Sequence, residues 1–164
     1  MIEEKLLSLT QYKEAEVLLV YGSYQKEVPT YGIMENAFVS GKRVFCPKVL
    51  SPGKMEFYEI QSVEDLIRGF KNIPEPKSTE IVFGGSEGKK TLLIMPVVGF
   101  DCYNNRLGYG GGFYDRYLQR YPDLQRVGLA FECQRFEKEI PIEDTDLSPD
   151  FLITEKGIWD QVTL

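Results

Sequence analysis

Apolar residues in this chain fall in short unbroken runs, separated by amphipathic or polar stretches. Glu16 to Tyr21 encloses Val17-Leu18-Leu19-Val20 without polar alternation, as do Leu92-Leu93-Ile94-Met95-Pro96-Val97-Val98 and Arg126-Val127-Gly128-Leu129-Ala130-Phe131 in their own regions. Runs of this length with no polar face suit strands buried on both sides, as in parallel sheets. Arg43 to Val49 and Phe151-Leu152-Ile153-Thr154 read as two further strands. Lys54 to Ile60 alternates polar and apolar residues like a strand at a sheet edge, and Pro52-Gly53 supplies the turn before it.

Between these runs the apolar spacing is helical. Residues 2–9 predict a short amphipathic helix, and residues 31–39 a second one, capped by Thr30 and ended by Gly41. Ser62 with Asp65 three residues on predicts a short helix through Phe70, and Tyr114 to Tyr121 another. Residues 71–90 read as a polar surface excursion in which Ile81-Val82-Phe83 is the apolar part.

Strands alternating with helices predict a three-layer α/β/α domain over residues 1–164, with a mostly parallel, mixed, Rossmann-like sheet. A ligand site in such a fold lies outside the carboxyl ends of the strands. The stretches 22–27, 99–112 and 132–150 all leave strand ends, so they can meet there.

One of them carries distinctive chemistry. From Arg106 the chain reads Arg-Leu-Gly-Tyr-Gly-Gly-Gly-Phe-Tyr-Asp-Arg-Tyr-Leu, placing Gly108, Gly110, Gly111 and Gly112 within five positions between an apolar strand and a helix. Such a turn brings free N–H groups and the positive end of a helix dipole to one point, where a phosphate is stabilised. Arg106 adds a fixed positive charge at one end and Asp115 a carboxylate at the other, a pairing suited to a phosphate and its magnesium.

Composition narrows the classes. The 164 residues carry a net charge of −6 and no clustered basic stretch, which argues against a nucleic-acid partner. The chain contains no histidine, so histidine-based triads and the usual zinc sites are excluded. Cys46, Cys102 and Cys133 are widely spaced without a CxxC pattern, which fits a reduced, cytoplasmic protein. No apolar run reaches the ~18 residues of a membrane span.

The run from Pro96 to Asp101, followed by Asn105 to Leu118, resembles the core motif of the 5-formyltetrahydrofolate cyclo-ligase family, also called methenyltetrahydrofolate synthetases. Tyr21 to Thr30, Ile73-Pro74-Glu75-Pro76, and Asp146 to Asp150 leading into Ile153 to Gly157 extend the resemblance in the family's order, over about residues 15 to 157. It implies the NagB/RpiA/CoA-transferase-like fold. It also implies an ATP- and magnesium-dependent closure of 5-formyltetrahydrofolate to 5,10-methenyltetrahydrofolate with release of ADP and phosphate. Residue by residue, Arg106, Leu107, Gly108, Tyr109, Gly110, Gly111, Gly112, Phe113 and Tyr114 correspond to the ATP loop, with Arg106 and Tyr114 in catalytic contact. Gly22, Glu27 and the stretch Tyr109 to Phe113 correspond to substrate contacts, and Asp115 and Asp146 to magnesium ligands. Tyr24 joins Tyr109, Phe113 and Tyr114 as a candidate stacking surface.

The partners expected are small molecules, ATP and the folate, acting on a monomer. The family's basic N-terminal segment is not matched in this sequence, so Arg106, with Lys42, Lys48 or Arg116, is expected to supply the positive charge. A folate- or nucleotide-binding protein without turnover is the alternative reading, and a small kinase on the same architecture is a third.

Overall fold

A computed structural model describes residues 1–160; the last four positions of the expected domain lie outside the described residues. The elements run α1 (Ile2–Ser8), α2 (Thr10–Glu14), β1 (Val17–Val20), α3 (Tyr31–Val39), β2 (Arg43–Ser51), β3 (Lys54–Ile60), β4 (Leu66–Arg68) and β5 (Pro74–Pro76). They continue with β6 (Thr91–Pro96), β7 (Gly99–Phe100), β8 (Arg106–Leu107), α4 (Phe113–Arg120), β9 (Gln125–Leu129), β10 (Phe151–Ile153) and β11 (Ile158–Asp160).

The main sheet has seven strands in the order β11-β10-β9-β6-β1-β2-β3. β10, β9, β6, β1 and β2 run parallel, and β3 and β11 pair antiparallel at the two edges. The unbroken apolar runs are the central strands, and the period of two along a strand divides them between two cores. Leu18, Val20, Leu92, Ile94 and Val127 pack on one face with Leu6, Ile33 and Met34 of α1 and α3. Val17, Leu19, Leu93 and Met95 pack on the other with Tyr117 and Leu118 of α4, joined by Phe45 and Phe57. This is the expected three-layer, mostly parallel mixed arrangement.

Chain order leaves β1 toward β2 on one side, while β6 lies on the other and continues to β9. The strand order therefore reverses between β1 and β6. A crevice opens at such a point because the two crossovers depart to opposite faces.

Several local expectations are corrected. The helix expected from Ser62 through Phe70 is a three-residue 3-10 turn, Val63–Asp65, after which β4 begins. The capping bonds themselves form, with the Ser62 N–H donating to Asp65 Oδ2 at 3.1 Å and the Glu64 N–H to Ser62 Oγ at 3.2 Å. Pairing of β4 with β5 across Leu66↔Pro76 and Arg68↔Pro74 outcompetes the helix. The 71–90 excursion is thus partly built in. Its Ile81–Phe83 section hydrogen-bonds to β3 through Glu59 N–H to Ile81 O and Phe83 N–H to Phe57 O, 2.8 Å each, which covers an edge otherwise open to pairing. Thr30 occupies the N-cap position of α3 as expected, but its side chain makes no capping bond; its hydroxyl donates to the Tyr21 carbonyl at 2.6 Å and accepts the Ser23 N–H at 3.2 Å. The segment after β1 is thereby tied back onto its own strand.

Candidate functional site

Two loops meet where the strand order reverses. The segment after β1 carries Glu27, and the segment after β6 carries Tyr109; the Tyr109 hydroxyl donates to Glu27 Oε1 at 2.9 Å. The other carboxylate oxygen accepts the Tyr24 N–H at 2.7 Å. Glu27 is half-buried, and burial raises its pKa while the Tyr24 N–H and the Tyr109 hydroxyl work against that rise. Gly22, on the same loop, is glycine because Pro74 presses on it: a Cβ there would lie 2.8 Å from Pro74 Cβ and 2.9 Å from its carbonyl oxygen.

The glycine-rich stretch does not leave β6 directly, as the sequence suggested. A small antiparallel hairpin, β7–β8, intervenes and presents Arg106. The Arg106 side chain is 7% exposed, and its Nη2 stands 3.7 Å from Asp115 Oδ1. Its Nη1 donates to the Pro96 carbonyl at 3.2 Å, its guanidinium lies 5.7 Å from the Tyr114 ring centroid, and its Nε is buried without a partner among the described residues. Burial lowers the Arg106 pKa, and the charges of Asp115, Tyr114 and Asp146 oppose the shift. Gly108 leaves room for this side chain, since a Cβ would sit 2.9 Å from Arg106 Nη1.

Beyond Gly108 the backbone turns through Gly110 at φ 85° and Gly112 at φ 65°, and α4 begins at Phe113. These are left-handed conformations that side-chain-bearing residues adopt only with strain. The N–H groups of Gly110, Gly111, Gly112, Phe113 and Tyr114 find no acceptor among the described residues. Arg116, one turn into α4, donates to the Gly111 carbonyl at 2.7 Å. The loop borders an open cleft of about 830 Å³ that Phe70, Phe113, Gly111 and Arg116 line together with the tip of the β2–β3 hairpin. Phe70 and Phe113 meet edge to face at 6.4 Å.

The acidic loop closes the third side. The Leu147 N–H donates to Asp115 Oδ1 at 3.1 Å, which brings the neighbour of Asp146 against the start of α4. Asp146 itself is exposed and accepts the Glu143 N–H on Oδ2 at 2.8 Å. Of the other expected cations, Lys42 donates to the carbonyls of Lys13 and Ala15, at the amino end of the sheet, and Lys48 stands 3.9 Å from the buried Glu75. Of the expected stacking residues, Tyr109 is 72% exposed, whereas Tyr114 packs inward against Phe57 at 6.3 Å with its phenol pKa raised by burial.

Phe70 and Asp101 were not singled out from sequence as site residues. Phe70 lay in a stretch that reads as a helix, and Asp101 in the run Pro96 to Asp101 that carries the family resemblance, without a role of its own. The fold and site together define a doubly wound α/β domain that presents a glycine-rich strand-to-helix loop, one buried arginine and two carboxylates at its switch point.

Within that class the chain belongs to the 5-formyltetrahydrofolate cyclo-ligase family, whose family model matches residues 1–155. It is 34% identical over 150 residues to a 5-formyltetrahydrofolate cyclo-ligase of Escherichia coli, covering 89% of this chain and 81% of the relative. The cyclo-ligase of Mus musculus is 30% identical over 165 residues, covering 94% and 81%. The solution structure of an Aquifex aeolicus 5,10-methenyltetrahydrofolate synthetase superposes with a TM-score of 0.78 at 28% identity, covering 98% of this chain and 79% of that one. These relatives are ligases.

Proposed function

We propose that this protein closes 5-formyltetrahydrofolate to 5,10-methenyltetrahydrofolate, consuming ATP and releasing ADP and phosphate. The observation that carries the reading is the unpartnered run of N–H groups from Gly110 to Tyr114 at the start of α4, set beside the buried Arg106. Donors fixed in advance around a point of developing negative charge stabilise phosphoryl transfer without reorganising.

In this reading the loop and α4 hold the triphosphate, and Arg106 draws the charge that builds on the transferring group. The formyl oxygen attacks the γ-phosphate, the bond to ADP breaks, and the resulting phosphoryl-activated carbon is attacked by the second folate nitrogen as phosphate leaves. No step needs a protein nucleophile, in keeping with a chain that has no histidine. Glu27 accepts hydrogen bonds from the pterin after exchanging them for Tyr109, and Phe113 with Phe70 forms an apolar wall of the folate cleft.

Asp115 and Asp146 are the residues proposed to hold magnesium. Among the described residues no cluster of three or more acidic or thiol ligands forms a cage. Each of the two carboxylates keeps one oxygen without a partner among the described residues, which fits an ion that takes one or two protein ligands and completes its shell with phosphate and water. The ion would screen the phosphate charges and orient them in line with the attacking oxygen. Among the described residues no helix is long and apolar enough to cross a membrane, and Cys46, Cys102 and Cys133 are free thiols, which supports a reducing compartment such as the cytoplasm.

Incubation with ATP, magnesium and 5-formyltetrahydrofolate, followed in the near ultraviolet, tests the proposal. Methenyl product stoichiometric with ADP is expected. Folate binding with neither product nor ADP would leave a binder, and a phosphorylated product without ring closure a kinase.

A further inference from the structure

Apart from the residues placed against nucleotide and folate, one buried carboxylate stands at the join of two site segments. Asp101, 1% exposed, follows β7. Its Oδ1 accepts the Tyr103 N–H at 2.9 Å and the Asn105 N–H at 3.0 Å; its Oδ2 accepts Asn105 Nδ2 at 2.9 Å and the Ile140 N–H at 2.7 Å. Three of these bonds close the β7–β8 turn, whose last residue immediately precedes Arg106. The fourth crosses 39 residues of sequence to the start of the acidic loop that carries Asp146. No cation pairs with Asp101 among the described residues, so N–H dipoles alone hold its charge.

The site needs such a fixed point. β8 is two residues long, and among the described residues the Arg106 side chain has one hydrogen bond, to Pro96, an ion-pair contact with Asp115 at 3.7 Å, and an Nε without a partner. Those contacts hold the side chain, but the backbone that carries it is set by the turn that Asp101 closes. On the other side, the Leu147 N–H reaches Asp115 because the acidic loop enters from Ile140.

We infer that Asp101 is a positioning residue for the nucleotide end of the site, acting through Arg106 and through the 140–147 segment to set the guanidinium and Asp146 against Asp115. Burial pushes the Asp101 carboxyl up, and the Ile140, Asn105 and Tyr103 donors outweigh it and hold the group below the ordinary aspartate value, so it stays ionised in its pocket. The inference rests on the nucleotide and magnesium roles proposed for Arg106, Asp115 and Asp146.

Calorimetric titration with ATP and magnesium, together with steady-state kinetics, separates the two on the wild type, Asp101→Asn and Asn105→Ala. The first variant turns one acceptor into a donor that faces N–H groups; the second removes a single bond and decides the matter if the first does not fold. Folded variants are expected to bind ATP-magnesium about 10- to 100-fold more weakly and to lose kcat, as when a ligand-orienting partner is removed. The folate KM should stay within about twofold, because the Glu27 side of the site is untouched. Folded variants that bind ATP-magnesium like the wild type, or that lose folate and nucleotide in the same proportion, overturn the inference. A wild type that binds no ATP-magnesium overturns the proposed function, and this inference with it.

Discussion

Glu27 shows how one side chain can be held in a costly state for use. Its pKa is raised, chiefly by burial, so the folded protein favours the protonated form more than the unfolded chain does. Stability from this group is thus complete below the ordinary glutamate value and is lost as pH rises through the higher folded value. Glu27→Gln is expected to flatten that part of the pH–stability curve and to raise the melting temperature at neutral pH, while raising the folate KM; thermal melts across pH and steady-state kinetics check both. A melting temperature unchanged at every pH would show that burial of Glu27 carries no such cost. Arg106 is a parallel case, a buried cation whose pKa is lowered by burial while the charge of Asp115 opposes the shift. Arg106→Ala should lower kcat by about 10²- to 10³-fold, the usual loss when one preorganised donor is removed. Lysine should restore little, because it lacks the planar fork. Asp115→Asn should raise the magnesium needed for half-maximal rate about tenfold or more, read from a magnesium titration at saturating ATP.

At the scale of elements, the site depends on turns whose geometry tolerates little side-chain mass. Gly22→Ala drives a methyl into the Pro74 backbone, and overpacking of that kind costs about 1–3 kcal/mol, measurable by urea denaturation. Gly112→Ala keeps space but strains a left-handed position, with an expected cost of roughly 1–2 kcal/mol and weaker ATP binding as the loop relaxes. A Gly112→Ala protein with wild-type stability and affinity would show that the loop needs no such conformation. The central strands were legible because their apolar runs admit one placement, buried on both faces. The stretch from Ser62 to Phe70 was misread for a physical reason: its capping residues are those of a helix, and the β4–β5 pairing that ends it after three residues is a contact with residues 74–76. The β7–β8 hairpin escaped notice because two-residue strands have no periodicity to detect.

For the molecule as a whole, the two cores make the sheet the least adjustable part. Leu93, fully buried in the strand that leads to the site, should cost about 2–5 kcal/mol when cut to alanine, without altering the substrate KM values of the protein that remains folded. ATP with magnesium should stabilise the native state by about 2.7 kcal/mol at a hundredfold excess over Kd. At ~2–4 °C per kcal/mol for a chain of this size that is a shift of several degrees, easily read in a thermal melt.

The amino-acid sequence by itself determined the layer architecture, the central strands and the family, because burial pattern and a contiguous glycine-rich motif are local properties written in consecutive residues. The strand ends already grouped the three loops, and tertiary structure alone decided which of their side chains touch. Glu27 touches Tyr109 across 82 positions, Leu147 touches Asp115 across 32, and Asp101 reaches Ile140 across 39. Such contacts exist because the strand order reverses between β1 and β6 and brings distant segments to one crevice, and no spacing along the chain encodes a distance that depends on that reversal.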